Sequence, residues 1–129
     1  GDNWISSGYA LWFMRESAWL NRPRMRLGSS CAVSGTGFLF AHSLLEELGG
    51  WDYFLLTEDL EFTADLVCRG EKIAYCHDAV IYDEQPSSFA QSIRQRSRWQ
   101  RGYLQVVAKH GGNMVKLCCA TAASPALTC

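Results

Sequence analysis

Residues 57 to 70 read Thr57-Glu58-Asp59-Leu60-Glu61-Phe62-Thr63-Ala64-Asp65-Leu66-Val67-Cys68-Arg69-Gly70, and Glu71-Lys72-Ile73-Ala74-Tyr75-Cys76-His77-Asp78-Ala79-Val80-Ile81-Tyr82-Asp83 follow. The first part has the marks of a helix. Thr57 is a natural N-cap, acids crowd the positive end of the first turn, and Gly70 supplies a stop. Leu60, Ala64 and Val67 recur at helical spacing and are the expected buried stripe. The second part alternates or runs apolar (Ile73, Tyr75, Ala79, Val80, Tyr82), which predicts one or two strands with a turn at His77-Asp78. This succession of helix and strand is the pattern on which the fold turns.

Working upstream, a short helix is expected over residues 42 to 48, closed by Gly49-Gly50. Before it, Cys31-Ala32-Val33 and Gly37-Phe38-Leu39-Phe40 flank Ser34-Gly35-Thr36-Gly37, reading as a strand and a tight loop. Residues 5 to 20 carry Tyr9, Trp12, Phe13, Trp19 and Leu20 at helical spacing, with Asn21, Pro23 and the adjacent arginines closing that helix. Downstream, Pro86-Ser87-Ser88 opens a helix expected to reach about His110. From Cys118 the residues are small and aperiodic and read as a loose tail.

Composition bounds the class. The 129 residues are 48% hydrophobic, 12% aromatic and 19% charged, enough for one domain with a core and too apolar for disorder. The net charge of −1 removes the bulk electrostatic case for a nucleic-acid partner. That average hides a polarity: eleven of the 13 acids lie between Glu46 and Glu84, opposed only by Arg69 and Lys72, whereas residues 85 to 129 carry six cations and no acid. None of the six cysteines forms a Cys-x-x-Cys pair and His42, His77 and His110 share no ligand spacing, so no metal site is read here. The cysteines are read as free thiols of a reducing compartment. No signal peptide opens the chain and no apolar run reaches the roughly 20 residues that span a bilayer. A start at Gly1 without Met reads as a piece of something longer.

The helix after Pro86 carries the densest chemistry. At about 100° per residue, Gln95, Arg98, Trp99 and Gly102 share one sector of its surface. Arg94, Arg98 and Arg101 form a basic edge, and Phe89, Ile93, Leu104 and Val107 fall on another sector that is expected to face the core. An amide, a guanidinium fork and an indole face together suit a carbohydrate, a nucleotide diphosphate, or both. The same residues also fit an amphipathic helix with solvated arginines and a half-buried Trp. Thr57-Glu58-Asp59 likewise fits both an ordinary helix start and a carboxylate placed as a general base.

Gly35-Thr36-Gly37, Gly49-Gly50-Trp51-Asp52, Thr57-Glu58-Asp59 and Gln95-x-x-Arg98-Trp99, in this order, resemble the family 2 glycosyltransferases. Within them the chain resembles the processive membrane-bound branch of cellulose, chitin, hyaluronan and poly-N-acetylglucosamine synthases. Leu66, Gly70, Ile73, Tyr75, Ala79-Val80, Glu84-x-Pro86, Phe89, Arg101 and Gly102 agree with it as well. The likeness spans about residues 30 to 107, giving a partial catalytic domain over 1 to 110 and a tail over 111 to 129. It implies an α/β fold: the C-terminal half of a GT-A domain, a mixed sheet with flanking helices, without the nucleotide-binding half.

The resemblance also implies a chemistry. Asp59 would be the catalytic base of an inverting transfer from a nucleotide-sugar donor, in particular a UDP-sugar, to a glycan hydroxyl. Glu58, Gly35, Thr36, Gln95, Arg98 and Trp99 would contact substrate. Mg²⁺ or Mn²⁺ would serve the complete enzyme through ligands outside this chain, since no Asp-x-Asp occurs in it. The complete protein would work at the cytoplasmic face of a membrane, touching its interface through the Gln-x-x-Arg-Trp helix. The chain alone would be soluble and inactive, and an exposed edge or apolar face would allow it to dimerise. The alternative reading is a non-catalytic carbohydrate- or anion-binding module.

Overall fold

The computed structural model describes residues 3–123, and its regular elements are all helical. Helix α1 spans Trp4–Arg15 and passes through a π-helical turn, Glu16–Asn21, into α2, Arg22–Arg26. Asn3 caps α1 by accepting the N–H groups of Ile5 and Ser6 at 3.0 and 2.9 Å. The widened turn has a visible cause. Pro23 lacks an N–H and its ring crowds the carbonyl four residues back, while Arg22 N–H reaches five residues back to Ser17 O. The helix therefore does not close at Asn21 and Pro23 but continues to Arg26.

Helix α3, His42–Glu47, ends at Gly49 and Gly50 with φ of 76° and 113°, as the paired glycines led us to expect. Helix α4 spans Glu58–Cys68 and α5 spans Phe89–Ala123. Thus α5 runs more than a dozen residues beyond His110, through the first part of the stretch expected to be loose. The remainder of that expected tail, residues 124 to 129, lies outside the described residues.

The α/β reading is overturned: no strand forms among the described residues, so the mixed sheet of a GT-A half is not what this chain builds. The two candidate strand regions, residues 31–40 and 72–83, do approach each other. Cys31 N–H donates to Ile73 O at 2.9 Å and Ile73 N–H to Ser30 Oγ at 3.0 Å. One backbone bond is not a ladder. A strand is stable only when neighbours pair along its length, and the apolar run Val80-Ile81-Tyr82 is instead exposed.

The core is small and aromatic. Tyr53, Phe62 and Leu66 are buried together, with Val33, Phe38, Leu44, Leu48, Trp51 and Ile73 packed against them. Helix α4 buries Glu61, Phe62, Thr63, Ala64 and Leu66, so its inner face is rotated from the expected Leu60/Ala64/Val67 stripe. The Tyr53 hydroxyl donates to Asp65 at 2.6 Å, and Arg69 Nε donates to the same oxygen at 2.8 Å. Burial pushes the Asp65 carboxyl up, but these two donors and the Arg69 charge outweigh it and hold the group below its ordinary value.

Helix α5 meets α4 along Gly102, where a Cβ would lie 2.5 Å from both Oγ1 and Cγ2 of Thr57. Thr57 is β-branched and buried, so it has no room to yield. Gly102→Ala is therefore expected to destabilise the protein by about 1–3 kcal/mol through overpacking. Adding Thr57→Ala to that variant should recover most of the loss. Thermal unfolding of the two variants checks this, and a single Gly102→Ala as stable as the parent would contradict it.

Candidate functional site

The first turn of α4 places Asp59 against the loop at Ser34-Gly35-Thr36. Asp59 Oδ2 accepts the Gly35 N–H at 2.9 Å, and Oδ1 accepts the N–H of Leu60 at 2.8 Å. Thr63 Oγ1 donates to the Asp59 carbonyl at 2.8 Å and accepts the Val33 N–H at 3.0 Å, so the loop is docked on α4 by backbone and side chain together. A carboxylate offers about four lone-pair sites, which leaves two of Asp59 for an incoming hydroxyl. Thr57 does not make the expected capping bond. Its hydroxyl is buried against Gly102 without a partner. Glu58 is exposed beside it, as are Gly35 and Thr36, whose Oγ1 lies 3.2 Å from Ser34 Oγ.

Two further groups feel the Asp59 charge. Glu16, at the start of the π-helical turn, is raised above its ordinary 4.5, first by burial and further by Asp59, against the opposing charges of Arg15 and Arg24. Burial raises the phenol of Tyr103 on α5, and the negative charges of Glu16 and Asp59 raise it further. Asp59 thus sits in a neighbourhood with a second carboxylate and a phenol, from three separate elements.

Helix α5 divides into three faces. Ser92, Gln95, Trp99, Gly102, Val106 and His110 form the stripe turned inward. Arg94, Arg98 and Arg101 are exposed on the basic edge. Phe89, Ile93, Leu104 and Val107 are 49–70% exposed, so the expectation that they face the core is wrong. At Gly102 the inner face has no room for a side chain, because Thr57 at the start of α4 fills the space. Trp99 packs edge-on against Tyr9 and Phe13 of α1, at centroid distances of 6.0 and 6.4 Å. Tyr9 is fully buried, its hydroxyl 3.1 Å from Ser92 Oγ.

An open cleft of about 520 Å³ lies along the start of α5, lined by Gln91, Arg94, Gln95 and Arg98 and by residues 84–87. The side-chain oxygens of Gln95 and Gln85 are buried there without hydrogen-bond partners, and Gln85 Nε2 is spent on Asp83 at 3.0 Å. Buried acceptors of this kind call for a donor from a ligand or water. Gln95 and Arg98 therefore share the cleft, and Asp59 and Gly35 share a hydrogen bond. Trp99 lines neither place and Asp59 is not part of the cleft wall.

Three residues of this arrangement went unread in the sequence. Gln85 was visible only as the spacer of Glu84-x-Pro86, and nothing local marks Glu16. Glu61 did leave a signal, as an acid on a helix position next to Phe62. It is completely buried, with Oε1 2.5 Å from Lys109 Nζ and Oε2 accepting the Leu55 N–H at 3.1 Å. That hydrogen bond raises the Lys109 ammonium above its ordinary pKa.

Comparison with known proteins agrees with the motif order. The profile of glycosyltransferase-like family 2 matches residues 1–102. The chain is 36% identical over 85 residues to the "Probable glycosyltransferase YdaM" of Bacillus subtilis, covering 66% of this chain and 20% of that protein. It is 30% identical over 83 residues to glucomannan 4-beta-mannosyltransferase 7 of Arabidopsis thaliana, covering 64% and 15%. It is 29% identical over 90 residues to the poly-beta-1,6-N-acetyl-D-glucosamine synthase of Staphylococcus aureus, covering 70% and 22%. The chain spans about a fifth of the length of these relatives. No solved structure matches it.

The raised Glu16 carboxyl gives a pH test. A group whose folded pKa lies above its unfolded value contributes most below the unfolded pKa, and that contribution is lost as pH rises through the folded one. At neutral pH the charged, half-buried Glu16 is a cost. Glu16→Gln should raise the Tm at pH 7, and the gain should vanish as pH falls below the ordinary 4.5. Unfolding curves of both proteins from pH 4 to 7.5 check the sign, and equal Tm values at pH 7 would refute it.

Proposed function

This chain belongs to glycosyltransferase-like family 2, and from that premise we propose that it carries the general base and part of the substrate-binding surface of an inverting sugar transfer. The donor is a nucleotide-sugar, in this proposal a UDP-sugar, and the acceptor a glycan hydroxyl. The observation that carries the reading is the Asp59 carboxylate, held in place by the N–H groups of Gly35 and Leu60 with lone pairs to spare. Asp59 takes the proton of the acceptor hydroxyl. The oxygen attacks the anomeric carbon from the face opposite the leaving group, and the bond from that carbon to the diphosphate oxygen breaks with its electron pair leaving on the diphosphate.

The cleft beside α5 supplies the anion-binding part. Arg94 and Arg98 present guanidinium forks, and Gln95 and Gln85 present acceptors that sugar hydroxyls would satisfy. Trp99 acts from beneath, bracing this helix against Tyr9 and Phe13. Among the described residues no three His, Cys, Asp or Glu side chains converge. They do not fit as a site for the divalent cation we expect in the complete enzyme, and no step here runs through it.

The exposed apolar sector of α5 next to its arginines supports a membrane-facing orientation of the whole protein, at the cytoplasmic leaflet in this proposal. No described helix is long and apolar enough to cross a membrane. The 129-residue chain by itself is expected to show no turnover.

The test is sugar transfer by the full-length protein in membranes, with a panel of UDP-sugars and Mg²⁺ or Mn²⁺. Asp59→Asn should lower turnover by about 100- to 10,000-fold while donor binding persists. Retained turnover in Asp59→Asn would remove the base assignment. No turnover with any donor, together with saccharide binding by this chain, would favour a binding module instead.

A further inference from the structure

We infer that Glu61 is a positioning residue, the group through which α5 holds Asp59 in register with the Gln95/Arg98 cleft. The inference rests on the reading of Asp59 as the base. Glu61 is the one acid among the largest fully buried side chains of the described residues. Taking a carboxylate out of water is costly, and an apolar side chain of similar size would pack as well or better. What an apolar residue could not do is hold a backbone N–H with one oxygen and an ammonium with the other.

Glu61 does so. Its Oε2 accepts the N–H of Leu55, two residues before Thr57, and its Oε1 meets Lys109, with His110 Nε2 4.0 Å away. The adjacent Leu56 N–H donates to Gln105 Oε1 at 3.4 Å, and Thr57 rests on Gly102. The segment leading into Asp59 is thereby fixed at three consecutive residues, each by a bond or contact that leads back to α5.

The α5 partners are not scattered. At about 100° per residue, Gln95, Arg98, Gly102, Gln105 and Lys109 fall within a sector of about 80°. The turns that grip the entry to α4 and the turns that line the cleft are one face of one helix. A helix transmits a position along its axis rigidly, so the Glu61–Lys109 pair sets how far Asp59 stands from Gln95 and Arg98. A fixed register between charged groups is the best-attested use of a buried ion pair. Displacements of an ångström in a catalytic group cost rate while leaving binding largely intact.

The test uses the full-length protein in membranes, with wild type, Glu61→Gln, Lys109→Ala and Asp59→Asn side by side. Glu61→Gln keeps an acceptor for Leu55 and removes the charge. Lys109→Ala is made at a half-exposed position and suits a helix. Donor sites are counted by titration with UDP, and turnover is expressed per UDP site. Both pair variants should keep UDP binding and a donor KM within twofold, while turnover per site falls at least tenfold. Turnover per site within threefold of wild type in both variants would overturn the inference. So would a loss of UDP sites with normal turnover in those that remain, the signature of a merely structural pair. Asp59→Asn separates the two readings. If it retains turnover, the base assignment falls, whereas if it is inactive and the pair variants are not, only the positioning role falls.

Discussion

The close crossing of α4 and α5 governs the rest of this structure. It is made by a missing side chain, Gly102, and by a charged one in an apolar place, Glu61. The first lets the helices approach until Thr57 fills the gap, and the second ties them through a carboxylate that is fully buried and so depends on its protein partners. Together they decide which face of α5 is inside. Once that face is set, Gln95 and Trp99 turn inward, the arginines line an edge, and the large apolar residues are left outside.

That last consequence departs from the usual economy of a soluble helix. Phe89, Ile93, Leu104 and Val107 would ordinarily be the buried row. Here they are continuous with exposed residues of α1, since Trp4 lies 6.3 Å from Phe89. The chain spans about a fifth of the length of its relatives, and in a whole protein surface of this kind is available for packing. The helix therefore has to be read as a three-sided element. One side grips α4 and α1, one carries arginines to the cleft, and one is apolar and exposed.

The sequence was most legible where chemistry is tied to short motifs. Gly49-Gly50 marked the end of α3, Thr57 and Gly70 bracketed α4 to within two residues, and Pro86-Ser87-Ser88 marked the start of α5. The motif order carried the family, which does not depend on any contact. Tertiary properties were less legible. Alternation in residues 73–82 is a request for neighbouring strands, and among the described residues one backbone bond, from Cys31, answers it. Periodicity located the apolar sector of α5 correctly and assigned it the wrong environment, because amphipathicity says that a helix has two kinds of face and not which partner each will meet. Helix α5 also passes Gly111-Gly112 unbroken and runs well beyond the expected end near His110.

The site shows the same division between identity and placement. Asp59, Gly35, Gln95 and Arg98 could be named from residue type and order, yet nothing in that order shows that Gly35 contributes a backbone N–H to Asp59. A glycine in this loop matters for what the chain around it can do. Its N–H reaches the carboxylate, and a Cβ there would already stand 3.4 Å from Oδ2. Any side chain would begin to occupy the space beside the free lone pairs of Asp59, the space an acceptor hydroxyl would use in the proposed reaction. The loop and Asp59 are therefore one structural unit, in which the residue that donates the positioning hydrogen bond also leaves space beside the carboxylate.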